Sequence, residues 1–457
     1  MPFRAWTRWK SEPTPAGALA QKVDSLSADP RVHALFRWFA QHVRDIADFQ
    51  LAITAVPAPS FAEQVRAAWL CERLQPLGLA TSTDAAGNLL ALRPGLQSAG
   101  HPPAIAVSAH LDTVFPAATP LNPCRQNTRL LGPGISDNGS GLAALWSLAS
   151  AFHAVGIVTA LPLLFVANTC EEGEGNLRGM RHLYRDHLSA STAVPDSTPA
   201  PSIAHLIALD GAGTDNIITQ ALGSRRFEVV ISGPGGHSWS DHGTPNPIVA
   251  ASLVVDALFR IPLPVEPRTT LNVGSIQGGT SINTIPEQAV LKVDFRSPDP
   301  RRIEELEQRL RRAVEEACAE VEAHSTQSRP RLSHSIAMVG ERPAGELPSA
   351  SPLLAAVRAV DAHLGIRSTL LRASTDANIP LSLGLEAVTL GAGGTGGGAH
   401  TLHEWYDPAG REQALKRLAL LILLLAGTPT VRDGRRSDTP GVPADAPPVD
   451  PSSQEPA

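Results

Sequence analysis

The sequence predicts an α/β fold: a mostly parallel sheet covered by helices, interrupted by a smaller α+β insert. Apolar runs of strand length alternate with stretches of helical period over residues 31–222, and again after 341. Several of these strand candidates are continuous apolar runs, as strands covered on both faces are. Between 223 and 340 the order of elements changes to β-α-β-β-α-β, that of a ferredoxin-like unit.

Taken in order, residues 1–30 are rich in Pro and Ala and are expected to form a flexible leader. Apolar residues then recur at helical spacing over 31–49 (Val32, Leu35, Phe36, Phe39, Val43, Ile46). In "SFAEQVRAAWLCERLQPLG", Ser60 and Glu63 stand in capping-box register, so a second helix is expected to begin there. "NLLALRP" and "AIAVSAH" read as strands, "GSGLAALWSLASAFHAVG" as a helix, and "LPLLFVANT" and "AHLIALDG" as further strands. The insert contributes the strands "RRFEVVISG", "TTLNVGSIQGG", "QAVLKVDFRS" and "RLSHSIAMVG". Its helices are "NPIVAASLVVDALFRI" and "RRIEELEQRLRRAVEEACAEVEAH". A helix near Leu353, the strand "AVTLGAG" and a closing helix from Gly410 complete the α/β part. The expected organisation is a leader at 1–30, an α/β domain in two parts (31–222 and 341–427), an insert domain at 223–340, and a tail at 428–457. That tail is rich in Pro and Asp and is expected to be disordered. A Pro-, Ser- and Thr-rich stretch, "SASTAVPDSTPAPS", is expected to loop out ahead of "AHLIALDG", and "GAGGTGGGAH" is Gly-rich enough to move.

With 457 residues, two domains are the natural expectation. A hydrophobic fraction of 43% and a charged fraction of 18% suit a globular protein. A net charge of −6 and a pI near 6.2 give no electrostatic basis for nucleic-acid binding. The four cysteines (Cys71, Cys124, Cys170, Cys318) are scattered, which argues against a disulfide scaffold or a thiolate zinc site. The N-terminus lacks the apolar core of a signal peptide, and the longest apolar run, 418–426, is too short to span a bilayer. No membrane partner is expected, and a cytoplasmic location follows by default.

Chemistry gathers at the ends of the predicted strands. His110 and Asp112 close "AIAVSAHLD" two residues apart, so an extended chain points both to one face. A carboxylate there can fix the tautomer of a metal-binding histidine. Asp137 precedes a helix in "GPGISDNGSG", Glu171 and Glu172 end a strand in "FVANTCEEGEG", and Asp210 ends another in "LIALDGAG". "GGGAHTLHEW" adds His400, His403 and Glu404. Each has a bland reading when taken alone: a polar strand end, a helix cap, a solvated loop, a turn-former or a solvent-facing histidine. Their placement changes the balance, because the C-terminal edge of an open α/β sheet is where ligands bind. Histidines and carboxylates without thiolate form a hard, mixed ligand set that suits zinc best, then manganese or cobalt. Five ligands exceed the needs of one catalytic ion and suit two ions sharing a carboxylate.

"SAHLDTV", "GPGISDNGSG", "EEGEG" and "HTLHE", in this order, resemble the metallopeptidase family M20, which includes peptidase T, carnosinases, aminoacylases and desuccinylases. The resemblance covers roughly residues 40–427 and implies a zinc-peptidase-like catalytic domain with a ferredoxin-like lid. It implies that His110, Asp137 and Asp210 hold one zinc and that Asp137, Glu172 and His400 hold the other. Asp112 would orient His110, and Glu171 would be the general base. His400 is preferred to His403 because the family pattern places its ligand four residues before a Glu, here Glu404. "GPGGHSWS" resembles the lid segment whose His237 reaches the active site across a homodimer, and "GGTSINTIP" the segment carrying Asn283. Arg296 in "VDFRS" is a weaker match. "LRASTDANIP" resembles a peptidase T segment that binds substrate, which would make Arg372 and Asp376 substrate-binding residues. An aspartate at position 210 is similar to the aminopeptidases and dipeptidases of the family. The implied activity is hydrolysis of di- or tripeptides at a dizinc site. The alternatives are an N-acyl-amino-acid deacylase with the same machinery and a non-catalytic metal- or peptide-binding homologue.

Overall fold

A computed structural model describes residues 15–97, 102–185, 202–326 and 331–428. Helices α1 (Pro15–Ser27), α2 (Pro30–Gln41), α3 (Val43–Thr54) and α4 (Gln64–Leu74) open the described chain. Strands β1 (Ala80–Thr83), β2 (Leu89–Arg93), β3 (Ala104–His110), β4 (Cys124–Gln126) and β5 (Arg129–Leu131) follow. Helix α5 (Gly139–Val155) leads to β6 (Leu163–Asn168), α6 (Arg178–Leu183), β7 (Ile203–Leu209) and β8 (Asn216–Ala221). The insert begins with β9 (Gly223–Ser232), β10 (Gly236–His237), α7 (Pro247–Phe259) and β11 (Thr270–Gly278). It continues through β12 (Thr284–Ile285), β13 (Gln288–Ser297), α8 (Pro300–Ala323) and β14 (Ser333–Arg342). The chain returns as β15 (Gly345–Glu346), α9 (Pro352–Leu364), β16 (Thr369–Ala373), α10 (Asn378–Ser382) and β17 (Ala387–Leu390). It closes with β18 (Thr395–Gly397), β19 (Trp405–Asp407) and α11 (Arg411–Ala426).

The main sheet runs β1-β2-β6-β3-β7-β17-β8-β15, with β16 beside β8. Its centre, β6-β3-β7-β17, is parallel. Toward the edges β2 and β8 pair antiparallel with their inner neighbours, so the sheet as a whole is mixed. Every residue of β3 and β6 is buried, which explains why both read as continuous apolar runs. Parallel register brings the C-terminal ends together: His110 lies opposite Asn168, and Leu390 opposite Leu209.

The insert folds on its own antiparallel sheet, β11-β13-β9-β14. Phe227, Leu291 and Phe295 pack there against apolar residues of α7 and α8, such as Val254, Leu310 and Val314, in a core separate from that of the main sheet. The last strand runs to Arg342, two residues past the expected end of the insert.

Two expectations need correction. The leader is helical in its second half: α1 packs on α9 and α11, and Val23 is completely buried. Apolar residues on a helical face gain more from that burial than a free leader keeps in chain entropy. Residues 1–14 lie outside the described residues, as do 189–201 of the Pro/Ser/Thr-rich stretch and 429–457 of the tail. The capping box at Ser60 and Glu63 does not form either. Helix α4 starts at Gln64 without a side-chain cap, and Ser60 Oγ donates instead to Asp112 Oδ2 at 2.7 Å.

Candidate metal centre

His110 ends β3 with its ring 1% exposed. Its Nδ1 lies 3.0 Å from the carbonyl oxygen of Asp112 and 3.6 Å from Asp112 Oδ1. The opposite nitrogen, Nε2, faces Asp137 Oδ1 at 3.1 Å and Asp210 Oδ1 at 3.9 Å. Asp137 stands ahead of α5, whose N-cap Asn138 accepts from the Gly141 amide. The buried Glu404 carboxylate accepts the amides of Gly134, Ser136 and Asp137, which fixes this loop although it lies far away in sequence. The peptide bond between Asp137 and Asn138 is cis.

On the other side, His400 Nε2 lies 2.9 Å from Glu172 Oε1 and 3.2 Å from Asp137 Oδ2. The two oxygens of Asp137 therefore face two different histidines. His110 with Asp137 and Asp210, and Asp137 with Glu172 and His400, form groups whose ligand atoms all lie within 4.8 Å of one another. His110, Glu171 and Glu172 form a third. His403 belongs to none of these groups; it is exposed, and its amide donates to Thr401 Oγ1.

The carboxylates outnumber the cations, and the titration of the site follows from that. Burial alone would raise the pKa of Asp137, yet hydrogen bonds from His110 and His400 hold it below the usual carboxylate range. Burial, with Asp137 beside it, pushes Asp210 up to about 7. Hydrogen bonds to Asp137 and Glu172 push His400 up to about 10. Burial opposes charge on His110, but its hydrogen bonds to Asp112 and Asp137 raise its pKa well above the ordinary value. A cage that draws protons onto both histidines is one in which a divalent cation can take their place. Nitrogen and carboxylate donors without thiolate fit such an ion.

Asp112 works mainly as a clamp. Its Oδ1 accepts the Glu171 amide at 2.9 Å, and its Oδ2 accepts the Glu172 amide at 2.8 Å. Glu171 meets a residue that the sequence did not flag. Arg342, at the end of β14, donates from Nη1 to Glu171 Oε1 at 2.8 Å and from Nη2 to the Glu171 carbonyl. Burial drives the pKa of Glu171 well above the usual range, against the pull of Arg342 and His110. A second arginine of the insert, Arg226, donates to the Gly173 carbonyl at 2.8 Å. The loop carrying Glu171 and Glu172 is thus pinned to the root of the insert.

The cavity over this cluster measures about 340 Å³; its lining includes Asp137, Glu171, Glu172, Asp210, His400 and Arg342. The expected substrate residues lie elsewhere. Asp376 is buried beneath the cavity rather than on its wall, and Asn168 Nδ2 donates to it at 2.8 Å. Burial pushes Asp376 up to about 6. Arg372 lines a neighbouring cavity, where its Nε donates to Gln220 Oε1. His237 and Asn283 are exposed on the insert, joined through β10 and β12 and a hydrogen bond from the Ser238 amide to the Asn283 carbonyl. His237 Nδ1 accepts the Trp239 amide at 3.2 Å, which leaves Nε2 to carry the proton. No spacing pattern marks Arg342 in the sequence, and the one at Ser60 points to a helix cap instead, because each reaches the site only through the tertiary fold.

The description "Peptidase dimerisation domain" matches residues 220–322, and "Peptidase family M28" matches residues 88–232. Among solved structures, aminopeptidase PepT of Bacillus cereus aligns over 84% of this chain and 99% of its own, with a TM-score of 0.66 and 18% identity. A dinuclear metal-binding peptidase of the M20 family, YXEP of Bacillus subtilis, aligns over 85% and 99%, with a TM-score of 0.60 and 16% identity. The chain shares the fold of these peptidases. A probable carboxypeptidase of Aspergillus clavatus is 34% identical over 218 residues, 42% of this chain and 44% of the relative. The chain thus spans about half the length of the curated relatives it matches. Among its described residues, no helix is long and apolar enough to cross a membrane.

Proposed function

We propose that this chain is an M20 metallopeptidase and hydrolyses the amide bond of small peptides, di- or tripeptides, at a site for two zinc ions. One observation carries the reading: Asp137 presents its two oxygens to His110 and to His400, as a carboxylate shared by two ions does. His110 and Asp210 would complete one ligand group, Glu172 and His400 the other. When bound, the two ions acidify a water and polarise the scissile carbonyl.

The protein's own residues supply the rest. Glu171 lies beside the ligands, buried and held by Arg342, and takes the proton of the attacking water before returning it to the leaving amine. Asp112 holds the amides of Glu171 and Glu172 and so fixes base and ligand together. His237, with its proton on Nε2, donates to the developing oxyanion when the insert closes or when a second subunit presents it. The match to a peptidase dimerisation domain supports a homodimer formed through the insert.

A deacylase or carboxypeptidase reading uses the same machinery, and the fungal relative favours the latter by its name. A panel of free peptides and amino-blocked acyl-amino acids, with and without chelator and added zinc, separates them. The proposal expects cleavage of free di- and tripeptides, its loss on chelation and its return with zinc. Cleavage of blocked substrates alone would overturn the aminopeptidase-like reading.

A further inference from the structure

Arg66, on α4, is 1% exposed and is among the largest completely buried side chains of the chain. A buried guanidinium ordinarily faces a carboxylate, because charge left unpaired in the interior is costly. Among the described residues Arg66 forms no hydrogen bond to a carboxylate; its donors go to backbone carbonyls. Nε and Nη2 donate to Val56 at 2.9 and 2.6 Å, and Nη1 donates to Leu111 at 2.6 Å. Burial lowers its pKa to about 10, against the charges of Asp112 and Glu63.

The carbonyls it holds border the metal centre. Leu111 stands between His110 and Asp112 and is completely buried. Its amide donates to the Asn168 carbonyl at 2.7 Å, at the end of β6, while its own carbonyl is held by Arg66. The turn from His110 into Asp112 is thus fastened on both sides. Val56 opens a segment that reaches the same strand end, where the Thr113 amide donates to the Ala58 carbonyl at 2.9 Å. Ser60 and Glu63, six and three residues before Arg66, touch the cluster as well. Ser60 bonds Asp112, and Glu63 Oε1 accepts the amide of Cys170, just ahead of Glu171, at 2.9 Å. The start of α4 therefore grips both strand ends that carry the cluster. A planar guanidinium can hold two carbonyls at once in a fixed geometry, which a single ammonium does not reproduce.

We infer that Arg66 is a positioning residue for the metal centre, setting the turn between His110 and Asp112 and through it the ring that offers Nε2 to a metal. The inference rests on the proposed metal site and goes beyond it, since Arg66 touches no proposed ligand side chain. Its action passes through the backbone of Leu111.

The test titrates zinc into the full chain after chelation and removal of the chelator, by calorimetry, in parallel with peptide kinetics. Arg66→Lys keeps the positive charge and loses the fork. Its zinc Kd is expected to rise about tenfold, as for residues that orient metal ligands, with kcat lower by a similar factor and KM unchanged. Arg93→Lys is the control. Arg93 also holds backbone carbonyls, donating to Ile157 at 2.6 Å, but it stands opposite Leu163 at the other end of β6. An arginine that serves the fold alone would lower the melting temperature in either variant and leave zinc affinity as in the parent. A folded Arg66→Lys with parental Kd and kcat, or equal losses in Arg93→Lys, overturns the inference. If Arg66→Lys does not fold, Arg66→Gln is read in the same way, and failure of both to fold also overturns it. A parent that binds zinc but cleaves neither peptides nor acyl-amino acids ends the proposed hydrolysis, while the Kd comparison still decides the role of Arg66. A parent that binds no zinc ends both.

Discussion

His110 and His237 would serve one reaction, yet the regions that carry them are built in opposite ways. His110 ends a fully buried strand, with Asp112, Glu171 and Glu172 packed around it and bonded to one another. His237 is exposed on a two-residue strand, paired with another two-residue strand beside Asn283. A buried carboxylate cluster must be held rigidly, because each unpaired charge costs several kcal/mol. An exposed donor carries no such penalty and can afford to arrive late. The contrast suggests a metal site built in advance and an oxyanion donor delivered by closure or by a second subunit.

The largest effect should come from the shared ligand. Asp137→Ala is expected to lower bound metal from about two ions per chain to near none, because one carboxylate serves both groups. Full occupancy by metal analysis would show that Asp137 is not shared. Glu171→Gln should lower kcat by about a thousandfold with metal content unchanged, since it removes a proton acceptor and no ligand. Turnover within tenfold of the parent would sink that role.

The exposed side of the comparison is tested by His237→Ala, for which kcat should fall by roughly two to three orders of magnitude with metal retained. Mixing His237→Ala with Glu171→Gln chains should restore part of the activity if subunits share the site. No recovery after verified subunit exchange leaves only closure within one chain. The smallest expected effect is at Ser60→Ala, which removes one hydrogen bond to Asp112 and should cost about 1 kcal/mol in thermal or denaturant unfolding. An unchanged stability would mean that the clamp around Asp112 is sufficient without it.

The candidate site was legible where chemistry coincides with a strand end. Residues two apart on an extended chain share a face, so His110 and Asp112 could be read together. Parallel strands must place their ends along one edge, so Glu171, Glu172 and Asp210 could be assigned to the same place. Ser60 misled because its capping-box register is a local pattern, and the tertiary contact to Asp112 overrode it. A motif does not say which side of a pocket wall a carboxylate such as Asp376 occupies; here it is buried and accepts from Asn168.

The sequence by itself determined the α/β architecture with its separate insert, since hydrophobic period and element order are local properties of the chain. It also determined the kinds of ligand, because donor chemistry belongs to the residue. Only the tertiary structure decided that Asp137 faces two histidines, through a loop fastened by Glu404 from more than 260 positions away. It alone brought Arg342 to Glu171 across 171 positions, and gathered Arg268, Arg296 and Arg372 around one cavity. Such contacts depend on where separate segments meet in space, and no periodicity along the chain records that.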